Sequence, residues 1–357
     1  MGQSDHSRGI VVLGMHRSGT SALSGILRLL GFDSGADLVR PNEFNPTGYW
    51  ENRSVVRLNE RILSHLGSSW SDVFLLPYHL GRTDLRAVFE AEARTLLDNA
   101  LSGKRTWVLK DPRMSVLIDF WLPYLCERNV SFIHVVRHPI EVANSLERRD
   151  GFPAERGLLL WFLQNLNAEF FTRGLNRSFI NYEDCMRDWR GALGDAFRRL
   201  DLSPVRSFDR ATADVERFIA QGRTRQPESV CCVSSGIGCK LVEQAFETLR
   251  EAGRLGQSQL GERCDELMDR FRDSSGLLLR TLAENDMRAE LEEARRRIGV
   301  LASKEVALNR RVDELQKRKM LLTERDSFRI REFLSNVVWR FWWLWVPLSL
   351  IPVWIFD

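Results

Sequence analysis

The segment "GMHRSGTS", Gly14 to Ser21, lies between the apolar run "IVVL" and the helix-like "ALSGILRLLG". A strand, a glycine-bearing turn and a helix start gather backbone N–H groups and the positive end of a helix around an anion. Gly14 and Gly19 permit close approach. Nucleotide loops of the form G-x-x-x-x-G-K-[ST] carry a lysine for the outer phosphates and a hydroxyl for magnesium. Here Thr20 stands at the lysine position and Arg17 supplies the cation. A guanidinium offers a planar fork to an anion, while Ser18, Thr20 and Ser21 add neutral hydroxyl donors. The loop reads as a phosphate or sulfate cradle that works without metal.

A second group lies in "FIHVVRHPIEVANSLERRDGF". Arg137 closes a strand, Pro139 suits the first position of a helix, and Ser145 follows one to two turns later. Arg137 and Ser145 are spaced to hold a second phosphate from two sides. Read singly, they are an arginine at a sheet end and a serine on a solvated helix face.

Together the two segments resemble the cofactor signatures of the sulfotransferase superfamily, which uses 3′-phosphoadenosine 5′-phosphosulfate (PAPS). "GMHRSGTS" resembles the 5′-phosphosulfate loop and "VVRHPIEVANSLERR" the 3′-phosphate motif, over residues 9 to 230, and the likeness is to bacterial members acting on carbohydrates. The resemblance implies that Arg17, Ser18, Gly19, Thr20 and Ser21 contact the 5′-phosphosulfate, and Arg137 and Ser145 the 3′-phosphate. It also gives Lys110, in "TWVLKDPR", an electrostatic role at the sulfate and the leaving phosphate, shared with Arg17.

Sulfuryl transfer moves SO3 in line from phosphate to an acceptor oxygen, so positioning and charge stabilisation dominate, with a base for the acceptor proton. The resemblance places a carboxylate base at Glu51, with Glu43 and His16 as alternatives. His134 and His138 read as structural. "FINYEDCMRDW" resembles the family's "RYEDL" segment, with Tyr182, Glu183 and Asp184 opening a helix that Asp184 would cap. Arg223 and Arg225 in "ERFIAQGRTRQ" fall where a cofactor-side segment is expected.

Elements must hold these groups. The strand-like runs "GIVVLG", "TWVLK", "SFIHVVR" and "SFINYE" alternate with helix-length segments at 19–31, 113–128, 139–150, 155–173 and 184–200. That alternation predicts an α/β fold, a P-loop-type parallel sheet flanked by helices, with its ligand loops at the carboxyl ends of the strands. Residues 1–282 form this domain, with 207–282 as a helical completion. Residues 283–325 carry a heptad repeat. Leu291, Ile298, Glu305, Val312 and Lys319 fall at a, and Met287, Ala294, Leu301, Leu308, Leu315 and Leu322 at d. Branched residues at a with leucine at d predict a parallel homodimeric coiled coil; the simpler reading is one amphipathic helix lying on the domain.

In the tail, 326–357, the stretch from Phe341 to Phe356 is uncharged and follows Arg329, Arg331 and Arg340. Its sixteen residues reach about 24 Å as a helix, short of a roughly 30 Å hydrocarbon core, and Pro347 and Pro352 interrupt it. The expectation is membrane contact at the interface; docking on protein is the alternative. A net charge of +3 from 51 basic and 48 acidic residues gives no ground for nucleic-acid binding. None of the six cysteines pairs at C-x-x-C spacing, so no structural zinc or redox site is expected. The polar N-terminus lacks a signal-like apolar run, which predicts a cytoplasmic enzyme, and the tail adds a peripheral position at the inner membrane face.

The resemblance therefore implies metal-independent transfer from PAPS to a hydroxyl of a carbohydrate or glycolipid acceptor. Two other readings stand beside it. A P-loop kinase would use ATP and magnesium through Arg17 and Asp111, and a non-catalytic scaffold would bind nucleotide and act through its coiled coil.

Overall fold

Apolar runs form the four strands β1 (Arg8–Leu13), β2 (Thr106–Lys110), β3 (Val130–Val136) and β4 (Arg177–Asn181), each buried along most of its length. All pair in parallel, in the order β2-β1-β3-β4. Val12 lies opposite Lys110 on one side and Ile133 on the other. This register brings the carboxyl ends of β1, β2 and β3 level, which is where a sheet of this kind presents its ligand loops.

The computed structural model describes residues 8–43, 45–73, 83–101, 103–223 and 237–274, with isolated helical positions at 298, 301, 304, 305, 308, 310–312 and 314. The helices are α1 (Thr20–Leu29), α2 (Arg53–His65), α3 (Thr83–Leu101), α4 (Ile118–Cys126), α5 (Pro139–Asp150), α6 (Ala154–Phe171), α7 (Tyr182–Arg187), α8 (Trp189–Arg199), α9 (Phe208–Arg223), α10 (Ile237–Arg250) and α11 (Gln257–Ser274). On one face of the sheet Ile10, Val12, Ile133 and Ile180 pack with Leu23, Ile26 and Leu27 of α1 and with Leu193 and Phe197 of α8. Aliphatic side chains fully removed from water in this way each contribute about 1.5–3 kcal/mol.

Two single helices expected from sequence are each divided. At 113–128, Asp111 accepts a hydrogen bond from the Arg113 N–H, and Pro112 opens a 3₁₀ turn (Pro112–Ser115) before α4 begins. At 184–200, Asp188 leaves helical geometry and caps α8 by accepting from Gly191 N. The cap of α7 is Asn181, which accepts from Asp184 N, and this corrects the assignment of that role to Asp184.

The chain divides into two units, Met1–Arg280 and Thr281–Asp357. In the second, the described heptad positions Ile298, Leu301, Glu305, Leu308 and Val312 are helical and exposed. The tail 326–357 and most of "QPESVCCVSSGIGC" lie outside the described residues. Among the described residues no helix is long and apolar enough to cross a membrane.

Candidate functional site

At the carboxyl ends of β1 and β3 the chain turns sharply. Gly14 takes φ 146° beside the Val135 carbonyl oxygen, and Ser115 Oγ accepts from Gly14 N at 2.9 Å. Gly19, at φ 91° in the left-handed region, precedes α1 without a side-chain cap. The first turn of α1 thus keeps unsatisfied N–H groups and the positive end of the helix dipole. A Cβ at Gly19 would fall 2.1 Å from Tyr182 Cδ2, so the loop reaches this geometry only with glycine. Arg17 holds φ 68° without being glycine, a conformation the surrounding contacts must enforce.

Arg17, Gly19, Thr20 and Ser21 line a cleft of about 200 Å³ together with Glu51, Lys110, Arg137, Arg149 and Tyr182. Arg17 Nε donates to Ser145 Oγ at 2.8 Å, and Arg137 Nη1 donates to the Arg17 carbonyl at 3.1 Å. The loop and the 3′-phosphate-like segment are therefore tied directly together. Arg137 also pairs with Glu141 and lies over the Tyr182 ring, 4.7 Å from its centroid. Ser145 sits beneath Arg17, while Ser18 is fully buried with no partner for its hydroxyl among the described residues. Burial, then the charges of Arg149 and Arg137, push Arg17 below the ordinary guanidinium value. Crowded, mutually repelling cations around an uncapped helix start are an arrangement suited to an anion.

Lys110, which also lines the cleft, ends β2. Its ammonium donates to Glu51 Oε1 at 2.5 Å, Ser21 Oγ at 3.1 Å and the Tyr49 carbonyl at 3.2 Å. Glu51 is only 6% exposed, and Asn52 beside it caps α2 by accepting from Ser54 N and Val55 N. Burial pushes the Glu51 carboxyl up from its ordinary value, and Lys110 acts against that rise. A buried carboxylate poised this way is suited to taking a proton.

Of the alternatives, Glu43 is exposed on the loop before Asn45 and stands apart from Lys110. His16 lines the cleft with its ring 4.1 Å from Trp70, and burial followed by Arg113, Arg149, Lys110 and Arg17 holds it well below the usual histidine value. His134 pairs with Thr172 Oγ1 at 2.9 Å in the core, and His138 caps α5, both structural positions. The Arg223 side chain and Arg225 lie outside the described residues.

Sequence reading missed Arg149 and the placement of Tyr182. Arg149 stands four residues after Ser145, one helical turn along the same face of α5, a spacing that marks it in retrospect. Tyr182 had been read only as opening α7. A larger groove, about 1000 Å³, runs along Asp33, Asn52, Glu92, Asn99 and Lys104, and none of the cradle residues lines it.

No family model matches the sequence, and no curated protein does. The chain is similar to solved structures of sulfotransferases, among them the following. A sulfotransferase domain from the curacin biosynthetic pathway shares 17% identity, covering 67% of this chain and 96% of its own, with TM-score 0.38. The sulfotransferase domain of the Synechococcus PCC 7002 olefin synthase shares 18%, covering 69% and 98%, with TM-score 0.39. Sulfotransferase STF1 from Mycobacterium tuberculosis H37Rv shares 16%, covering 72% and 76%, with TM-score 0.30. At such identities the roles of individual residues rest on the geometry of this chain.

Proposed function

We propose that the chain transfers a sulfuryl group from PAPS to a hydroxyl of a carbohydrate or glycolipid acceptor. The observation that carries this reading is a single cleft in which an uncapped glycine loop, Arg17, Lys110 and Arg137 face a buried carboxylate, Glu51. The donor fits the residues present: Ser18 keeps a buried hydroxyl without a partner among the described residues, Gly19 leaves α1 uncapped, and Arg17, Arg137 and Arg149 crowd together. Arg17 with the N–H groups of Gly19, Thr20 and Ser21 would hold the 5′ end, and Arg137 with Ser145 the 3′-phosphate. Bound there, PAPS supplies an activated sulfuryl group on a phosphate leaving group.

The remaining work falls to the protein. Arg17 and Lys110 are fixed cations where negative charge grows on the departing phosphate, and preorganisation of this kind accounts for much of an enzyme's rate. Glu51 Oε1, released as Lys110 turns to that charge, takes the acceptor proton. Magnesium chemistry at Asp111 is poorly supported, since its Oδ1 accepts from Arg113 and its Oδ2 from Asn59 at 2.8 Å. In this reading the heptad stripe pairs two copies, and the Trp-rich tail holds them at the inner face of a membrane where lipid-linked glycans are assembled.

Glu51→Gln tests the base directly. Transfer of labelled sulfate from PAPS to bacterial glycan acceptors is expected to fall by 10²-fold or more, the general range for a lost acid-base group. Affinity for 3′-phosphoadenosine 5′-phosphate (PAP) should stay within about twofold. Full activity in this variant would remove Glu51 from the mechanism.

A further inference from the structure

The segment Lys110-Asp111-Pro112-Arg113 sets two cations on opposite oxygens of one carboxylate. Lys110 donates to Glu51 Oε1 from inside the cleft, and Arg113 Nη1 stands 4.0 Å from Glu51 Oε2. Arg113 is not among the residues lining the cleft, whereas Glu51 and Lys110 are. One carboxylate oxygen therefore looks into the reaction space and the other toward a guanidinium behind it.

That guanidinium is held by a chain of contacts that leads from exposed Glu60 into the core. Arg113 N and Nη1 donate to Asp111 Oδ1 at 3.0 and 2.9 Å, and Nη2 donates to Glu60 Oε1 at 3.0 Å. Asp111 Oδ2 accepts from Asn59 Nδ2 at 2.8 Å, and Asn59 Oδ1 accepts from Trp121 Nε1 at 2.7 Å. Asn59, Asp111 and Trp121 are all fully buried. The linkage runs from the core to the back of Glu51, and it stops short of contact, because 4.0 Å is too long for a hydrogen bond. Arg113 Nε is buried and has no partner among the described residues, so the group retains donor capacity.

We propose that Arg113 is a positioning residue that takes over the Glu51 carboxylate when Lys110 turns toward negative charge in the cleft. The proposal rests on the reading of Glu51 as the base. A lysine committed to a phosphate no longer neutralises Glu51, and a buried carboxylate left alone picks up a proton and stops being a base. The charges facing Glu51 are Lys110 and Asp111 from the end of β2 and Arg113 from the 3₁₀ turn, with Glu60 of α2 bound to Arg113 in turn. Asp111 adds to the upward push of burial, and Lys110 and Arg113 oppose it. With Lys110 diverted, Arg113 is the cation that keeps Glu51 ionised and leaves Oε1 free toward the acceptor.

The test follows the Glu51 carboxyl itself, by carbon NMR of protein labelled at glutamate side chains, titrated with and without saturating PAP. Glu51→Gln assigns the signal, and PAP affinity checks that each variant is folded. In Arg113→Met with PAP bound, the Glu51 titration should move up by about one pH unit or more relative to wild type, the usual effect of removing an opposite charge at this range. Arg113→Lys keeps a counter-charge for Asp111 but lacks the fork, and should titrate between the two. A PAP-bound Arg113→Met carboxyl titrating at the wild-type pH overturns the proposal; if that variant does not fold, a wild-type midpoint in Arg113→Lys does so. Full transfer activity in Glu51→Gln would instead refute Glu51 as base and leave the measured Arg113–Glu51 coupling standing.

Discussion

His16 and His134 are both held neutral by burial, His16 beside Trp70 at the cleft and His134 beneath Phe179 in the core. Unfolded, each titrates near its ordinary value of about 6.5. Their folded values lie lower, so the unfolded chain binds more protons once the pH drops below that value. Stability is therefore full above about pH 6.5 and declines as the pH falls through the folded values, by about 1.4 kcal/mol per unit of separation for each group. Melting temperature followed between about pH 7.5 and 5 should fall in wild type and fall less steeply in His16→Gln. An unchanged slope in that variant would contradict the burial argument for His16. Other residue-scale features were open to sequence reading because strand ends announce ligand loops: Arg17, Lys110 and Arg137 follow apolar runs and converge on one cleft. The pairing of Lys110 with Glu51, across 59 positions, was not, since nothing local in either segment specifies the other.

At the scale of elements, the four strands and the helices α1, α5 and α6 were legible from apolar runs and their punctuation. The breaks at Asp111-Pro112 and Asp188 were not, because a side-chain cap competes with helix continuation through geometry that periodicity does not record. α2 and α3 also escaped the reading, although Asn52 supplies a helix-start signal immediately after Glu51. One exacting element contact is the cradle loop against α7. Gly19 lies against the Tyr182 ring, which in turn supports Arg137. Gly19→Ala would add a Cβ into that ring at a positive φ and push the loop and α7 apart. PAP affinity should weaken on the order of tenfold, matching left-handed strain of about 1–2 kcal/mol. Binding within twofold of wild type in a folded Gly19→Ala protein would mean the loop does not hold the ligand.

On the scale of the whole molecule, 357 residues divide into a unit ending at Arg280, which contains the sheet and the cleft, and a second unit that begins at Thr281. The heptad pattern and the Trp-rich tail of the second unit were read from sequence alone, and pairing and membrane contact stand as parts of the proposed function. The described residues that line the cleft all belong to the first unit. Its ligand is the central claim, and calorimetric titration of PAP without metal, beside ATP with magnesium, tests it most directly. The account predicts tight metal-free binding of PAP, weakened about tenfold or more by Arg137→Ala, which removes a charge-assisted contact to phosphate. Absence of that binding, or a clear preference for ATP with magnesium, would contradict it.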